Sequence, residues 1–174
     1  IANCILIKPL IFNATHNFSA YSGDSFSVLP PYSLGPVIIE TMKEYAEKLC
    51  VALNIKGLIN IQFAIKEDNV YVIEANPRAS RTTPFICKAY DIPYLNIATK
   101  VMLGTHTLKD FDYSEKLKGF AIKEPVFSFD KFPGVNKELG PEMKSTGESI
   151  RFIKDLKDPY FRSLYREKSM FLSK

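Results

Sequence analysis

The sequence lacks the features that mark several large classes of protein. No run of about 18 apolar residues occurs, so no transmembrane helix is predicted, and the first residues have neither the basic start nor the cleavage site of a signal peptide. The three cysteines, Cys4, Cys50 and Cys87, lie far apart without CxxC spacing, which argues against a disulfide framework and a zinc site. We expect reduced thiols and a cytoplasmic location.

Two further absences concern charge and glycine. The net charge is +4, but the basic residues are scattered among acids, and no Lys/Arg block with interleaved aromatics predicts nucleic-acid binding. The eight glycines are dispersed, and none fits a G-x-G-x-x-G or G-x-x-x-x-G-K phosphate loop. The sequence therefore predicts neither a nucleic-acid partner nor a membrane partner.

The 174 residues suffice for one domain with a core, or for a domain with an appendage. An amphipathic helix is predicted after the Pro-rich stretch at 26–33, with Ser33 as N-cap, Pro36 in the first turn and Asn54 at the end. Its apolar face recurs at three- and four-residue spacing. That face comprises Ile38, Met42, Tyr45, Leu49 and Leu53.

A β-hairpin is predicted over "GLINIQFAIKEDNVYVIEAN", with a polar turn at 66–69. Apolar residues, including Tyr71 and Ile73, occupy odd positions, whereas Gln62, Glu74 and Asn76 occupy even ones. Because side chains alternate along a strand, each polar set lies on one face. If Gln62 pairs with Glu74, both sets share that face.

Further along, the pattern predicts a helix near 93–104 with Leu95, Ala98, Val101 and Met102 as its apolar stripe. A strand at 120–129 is expected to be broken by Pro125. Residues 130–149 are rich in Gly and Pro and predict an ordered loop, and short helices are expected in 151–174.

The end of the hairpin carries chemistry in "EANPRASR". Glu74 between the amides of Gln62 and Asn76 offers the oxygen ligands that Mg²⁺ prefers. Arg78 and Arg81 follow, and guanidinium groups bind phosphate bidentately and neutralise charge during phosphoryl transfer. The alternative is a turn with a surface ion pair, which contributes about 0–1 kcal/mol.

A family resemblance favours the functional interpretation. "GLINIQFAI…VYVIEANPRASRTTPFICKA", "KVMLG" and "AIKEPVFSFDKFPGVNKELGPEMKSTGES" resemble the large subunit of carbamoyl phosphate synthetase, over residues 22–148. They are similar to the second of its two ATP-grasp units, because the NPR motif continues as "RTTPF" here. The implied fold is α+β: the C-terminal part of an ATP-grasp domain, a mainly antiparallel sheet backed by helices.

The resemblance also implies an activity. The second unit of this family phosphorylates carbamate with ATP to give carbamoyl phosphate, which serves arginine and pyrimidine biosynthesis. Gln62, Glu74 and Asn76 match the positions that hold two Mg²⁺ or Mn²⁺ ions, and Ser22, Gln62 and Glu74 match nucleotide contacts. Arg78 and Arg81 match arginines of the phosphate and carbamate site. Ser22 and Ser25 of "SGDS" lie where K⁺ binds.

Other expectations concern what the chain carries and what it does not. Residues 1–150 are expected to form a partial ATP-grasp domain without its N-terminal lobe, and 151–174 a C-terminal helical tail. The remainder of the large subunit and the glutaminase small subunit would be partners. Tyr21 stands where the family has a histidine, and "FNATH" at 12–16 departs from its acidic stretch.

Three hypotheses follow from this resemblance and from the departures from it. The chain carries part of the carbamate-phosphorylating unit and is inactive in isolation. Alternatively, it belongs to another ATP-grasp carboxylate-amine ligase, against which the MKSTGE motif argues. In the third hypothesis it is a non-catalytic remnant that acts as a folded or interaction module.

Overall fold

The computed structural model describes residues 4–5, 24–112, 117–139 and 142–170, with side chains described from 24 onward as far as residue 164. It divides into two compact units. Unit 1 comprises Ile1–Leu10 and Ser33–Lys116, and unit 2 comprises Ile11–Tyr32 and Leu117–Lys174. No helix in the described ranges is long and apolar enough to cross a membrane.

Unit 1 begins its main helix, α1, at Pro36 and ends it at Ala52. The predicted N-cap, Ser33, is wrong, because Gly35 caps the helix in an extended conformation. A residue that precedes proline is restricted to extended backbone, so the chain cannot enter the helix earlier. Asn54 follows the helix with a left-handed φ of 48°, as predicted.

The buried side of α1 is narrower than the predicted stripe. Met42, Ala46 and Cys50 are buried at four-residue spacing, whereas Leu53 is exposed beyond the helix end. The opposite face carries charged residues in two ion pairs, Lys43 with Glu40 and Lys48 with Glu44. The helix is therefore amphipathic, as predicted. Its buried residues lie on a face that is turned slightly around the helix axis from the predicted apolar face.

The predicted hairpin is present as β4, Asn60–Lys66, and β5, Asn69–Asn76, which pair antiparallel. Its two turn residues, Glu67 and Asp68, have φ values of 50° and 61°. Left-handed backbone at both central residues is what a two-residue hairpin turn needs to match the twist of the strands. A short parallel pair, β1 (Cys4–Ile5) with β3 (Gly57–Leu58), lies in the same unit.

Two helices follow the hairpin. The sequence did not predict α2, Thr83–Tyr90, whereas α3, Tyr94–Met102, lies where a helix was expected. Within α3 the buried face contains Tyr94, Ile97, Ala98 and Val101, while Leu95 and Met102 are exposed. Half of the predicted stripe is therefore wrong.

Unit 2 contains a three-stranded antiparallel sheet in the order β2, β6, β7. The strands are Ser27–Leu29, Phe120–Val126 and Gly147–Ile153. Helix α4, Pro159–Met170, packs against the sheet and completes an apolar core. Burial of each such side chain contributes about 1.5–3 kcal/mol. The core contains Phe26, Val28, Ile122, Ile153, Phe161 and Leu164.

The structure of unit 2 differs from two of the expectations drawn from the sequence. Strand β6 continues through Pro125, which pairs with Glu148, so proline does not break it as predicted. The expected boundary between residues 150 and 151 falls inside β7, and the helical part begins only at Pro159. The division into a partial ATP-grasp domain and a tail stays a prediction. The loop predicted at 130–149 is confirmed for the described residues of 132–146, which contain neither helix nor strand, but it is wrong at both ends. A 3-10 helix occupies Phe129–Lys131, and β7 begins at Gly147.

Two glycines of unit 2 allow a test of this packing. Gly119 and Gly134 have φ values of 92° and 85°, and an added Cβ at Gly119 would also collide with the carbonyl oxygen of Ile153. We expect Gly134→Ala to lower the free energy of unfolding by about 1–2 kcal/mol, the cost of left-handed backbone. Gly119→Ala should cost more, as measured by urea denaturation. Equal losses in the two variants would contradict the close strand approach.

Candidate functional site

The hairpin brings the predicted metal ligands together. Gln62 of β4 lies directly opposite Glu74 of β5, so the predicted register is confirmed. The side-chain nitrogen Nε2 of Gln62 donates a hydrogen bond to Oε1 of Glu74 over 2.6 Å. Nδ2 of Asn76 donates to the same oxygen over 2.9 Å. One carboxylate oxygen therefore holds both amides on one exposed face.

This arrangement leaves oxygen atoms for a cation. The two hydrogen bonds use the amide nitrogens, so Oε1 of Gln62 and Oδ1 of Asn76 are not engaged in them. Amide and carboxylate oxygens are the ligands that hard divalent cations prefer. Within the described ranges no group of three or more His, Cys, Asp or Glu side chains could hold a metal. A cation at this face would depend on one carboxylate and two amides, so the donor set fits Mg²⁺ or Mn²⁺ but predicts weak binding.

The two arginines follow at the mouth of the hairpin. After Pro77 the backbone turns, and the N–H of Arg78 donates to the carbonyl oxygen of Asn76 over 2.7 Å. Both Arg78 and Arg81 are exposed, and Nη1 of Arg78 donates to the carbonyl oxygen of Ala79 over 3.2 Å. Exposed guanidinium groups at this position can meet an anionic ligand in solution.

The start of α2 fixes the turn that carries these arginines. The N–H of Ser80 donates to the hydroxyl oxygen of Thr83 over 3.1 Å, and the N–H of Thr83 donates to the carbonyl oxygen of Ser80 over 3.1 Å. Thr83 is buried although it is polar. This reciprocal pair satisfies backbone groups at the start of the helix. The turn that carries Arg78 and Arg81 is therefore held at one end by Asn76 and at the other by Thr83.

A β-bulge corrects one part of the predicted face. Gln62 pairs with Glu74 but Phe63 pairs with Val72, so Ile73 is an extra residue in β5. Directly opposite residues share a face. Tyr71 pairs with Ala64 and therefore lies on the polar side of the hairpin, not with the apolar residues. The expectation from alternation is wrong here because a bulge reverses the parity of the strand.

The serine motif at 22–25 is only partly described. Ser22, the predicted nucleotide contact, lies outside the described residues, as do Tyr21 and residues 12–16. Ser25 is buried. Between the two serines, Asp24 accepts hydrogen bonds from the backbone of Lys144 and Ser145. The sequence alone did not single out Asp24, because its partners lie about 120 positions away.

Sequence comparison shows the family. A family model described as "Carbamoyl-phosphate synthase L chain, ATP binding domain" matches residues 3–110, more than half of the chain. The chain belongs to this family. A carbamoyl phosphate synthase large chain of Archaeoglobus fulgidus is 53% identical over 145 residues, which cover 82% of the chain and 13% of that protein. A "large chain, C-terminal section" of Methanocaldococcus jannaschii is 49% identical over 154 residues.

Structural comparison supports the fold of this synthase-family chain. The biotin carboxylase domain of a single-chain bacterial carboxylase matches with a TM-score of 0.60 at 15% identity, over 80% of the chain and 39% of that protein. Urea carboxylase of Kluyveromyces lactis matches with a TM-score of 0.60 at 16% identity, over 79% of the chain and 14% of that protein. These likenesses confirm the predicted α+β, ATP-grasp fold.

The synthase-family chain is short beside its relatives. It spans 25% of the Methanocaldococcus jannaschii protein and 13% of the Archaeoglobus fulgidus protein. The family relationship supports ATP binding, because the matching model is that of an ATP-binding domain. The metal ions, the individual site residues and the further partners stay predictions.

A metal titration can test the role of Glu74. We expect weak Mn²⁺ binding to the purified chain, seen as enhanced relaxation of water protons, and we expect Glu74→Gln to weaken it at least tenfold. Removal of the single carboxylate leaves three neutral amides, which bind hard cations poorly.

The matched control is Glu67→Gln, which removes an exposed carboxylate in the turn of the same hairpin. It should bind Mn²⁺ as the unmodified chain does. Equal loss in both variants would indicate general attraction to negative charge, and no loss in either would remove Glu74 from the site.

Proposed function

We propose that the chain is part of the ATP-dependent, carbamate-phosphorylating unit of a carbamoyl phosphate synthase. The observation that carries the proposal is the hairpin face on which Glu74 holds Gln62 and Asn76, followed by two exposed arginines. Such a unit would use ATP and carbamate as substrates and yield carbamoyl phosphate and ADP. The family membership of the chain supports this assignment.

In the proposed site Gln62, Glu74 and Asn76 would hold two Mg²⁺ or Mn²⁺ ions, with Ser22, Gln62 and Glu74 in contact with the nucleotide. Bound ions of this kind neutralise phosphate charge. The protein's contribution is proximity: hydrogen bonds from both amide nitrogens keep the two side chains beside the carboxylate. Preorganised ligands reduce the entropic cost of binding.

Arg78 and Arg81 would stabilise the phosphoryl group during transfer. Carbamate attacks the γ-phosphorus of ATP, and the oxygen that bridges to the β-phosphate leaves with ADP. The protein supplies no covalent nucleophile for this step, since phosphoryl transfer depends on positioning and on neutralisation of charge. Two guanidinium groups beside a metal site supply that charge.

The wider setting is part of the same proposal. Carbamoyl phosphate would serve arginine and pyrimidine biosynthesis in the cytoplasm. The remainder of the large subunit and a glutaminase small subunit would complete the enzyme, and K⁺ would bind near Ser22 and Ser25. Carbamate decomposes readily in water, so the complete enzyme must exclude solvent from the reacting groups.

The two alternatives predict different behaviour. Another ATP-grasp carboxylate-amine ligase would act on a different acid, but the identities of 49% and 53% to synthase large chains favour the synthase. A non-catalytic module would fold in the same way but would have no ligand for the two arginines to bind. Nucleotide binding by the arginines therefore distinguishes the module from the enzyme part.

Binding of Mn²⁺–ATP tests the function directly. We expect weak binding by the purified chain, measured by equilibrium dialysis with radiolabelled ATP. Arg78→Ala and Arg81→Ala should each weaken it about tenfold, which corresponds to about 1.4 kcal/mol. Arg162→Ala, at an exposed arginine of α4, should have no effect. Equal binding by all the variants would contradict the proposed phosphate site.

We also expect no turnover by the chain alone. The assay supplies ATP, Mg²⁺, K⁺, bicarbonate and ammonia, and traps the product with ornithine transcarbamoylase. The exposed hairpin face is open to water, which weakens each charge interaction from about 4 to about 1 kcal/mol at 4 Å. Turnover that disappears in Arg81→Ala would show that the chain is competent by itself.

A further inference from the structure

A buried carboxylate ties together two distant segments of unit 2. Asp24 is only 3% exposed, and each of its oxygens accepts a backbone hydrogen bond. Oδ2 accepts from the N–H of Lys144 over 2.9 Å, and Oδ1 accepts from the N–H of Ser145 over 3.0 Å. A carboxylate bonded to two backbone N–H groups makes charge-assisted bonds, which are stronger than neutral ones.

The side chain of Lys144 extends this connection. Its ammonium Nζ donates to the carbonyl oxygen of Asn136 over 3.0 Å and, at closer range, to the carbonyl oxygen of Glu138. The N–H of Glu138 in turn donates to Oδ1 of Asn136 over 2.9 Å. The ammonium therefore bonds to two backbone oxygens and closes the turn at 136–138.

These bonds order a segment that has no core of its own. Phe132, Val135, Leu139 and Met143 are 36% to 55% exposed, so apolar burial contributes little to holding residues 132–139 and 142–146 in place. At the C-terminal end of the segment, directly before β7, the N–H of Thr146 donates to the carbonyl oxygen of Val126 over 2.9 Å. A segment without regular secondary structure must satisfy its backbone by such contacts.

We propose that Asp24 and Lys144 form a two-step latch that fixes residues 136–139 and 142–146 onto the turn that carries Ser25. Asp24 holds the backbone at 144–145, and Lys144, once held, closes the turn at 136–138. Both are positioning residues, since neither is placed in contact with a substrate. The latch rests on the proposed function only in one respect: Ser22 and Ser25, on either side of Asp24, are the proposed nucleotide and cation contacts.

In this proposal the contact of Lys144 with the turn depends on the bonds of Asp24, and hydrogen exchange can detect that dependence. Asp24→Asn leaves one acceptor oxygen for two N–H groups, so the amides of 144–145 and the hydrogen-bonded amide of Glu138 should exchange at least tenfold faster. Lys144→Met removes only the ammonium and keeps the backbone N–H. It should accelerate exchange of the Glu138 amide at least tenfold and leave 144–145 protected.

Lys137→Met is the matched control, because Lys137 is a mostly exposed lysine of the same segment, 4.0 Å from Asp130. It should leave both regions unchanged. Unaltered exchange at 144–145 in Asp24→Asn, or equal effects of Lys144→Met and Lys137→Met, would overturn the latch.

Protection of the β6 amides reports whether unit 2 still folds. If Asp24→Asn loses it, the comparison of Lys144→Met with Lys137→Met decides the proposal by itself. The experiment contains no ATP or metal, so its failure is separate from failure of the Mn²⁺–ATP test.

Discussion

The register of the hairpin is the constraint on which the candidate site depends. Gln62 reaches Glu74 only because the two residues are directly opposed in β4 and β5. A slip of one residue would send the ligands of one strand to the other face. The left-handed turn at Glu67 and Asp68 sets this register from one end, and the bulge at Ile73 adjusts it close to the site.

The site is organised by hydrogen bonds and not by burial. Gln62 and Glu74 are exposed, yet two bonds to one carboxylate oxygen define where the amides lie. An exposed site of this kind is preorganised but weak, since water competes for each interaction. The proposed chemistry would therefore require exclusion of water from this face, and the relatives that the chain matches are several times its length.

The sequence predicted the features that follow from local periodicity. Alternation and a polar turn gave the hairpin and the Gln62–Glu74 pair, and Pro36 and Asn54 marked the two ends of α1 correctly. The bulge at Ile73 was not predictable, because an extra residue in one strand leaves no mark on composition.

The remaining errors have two origins, one in distant contacts and one in a local restriction. Residues 147–153 resemble loop and tail in composition, but pairing along the whole of β6 makes them a strand. Gly35 replaced Ser33 as cap because the restriction that Pro36 imposes outweighs the hydrogen bond that a serine would offer. The structural role of Asp24 was not predictable because its hydrogen-bond partners lie far away in the chain. Sequence patterns report neighbours along the chain, whereas β7 and the bonds to Asp24 depend on contacts between distant segments.

The two-residue turn of the hairpin also bears on how such a chain can change over evolutionary time. Any of several residues that tolerate left-handed backbone could replace Glu67 or Asp68 with little effect on the strands. An insertion or deletion of one residue there would instead move every rung of β4 against β5 and separate Gln62 from Glu74. The turn is therefore free to drift in composition but not in length. A descendant with a turn of another length would carry the same motif letters without the ligand set that they describe.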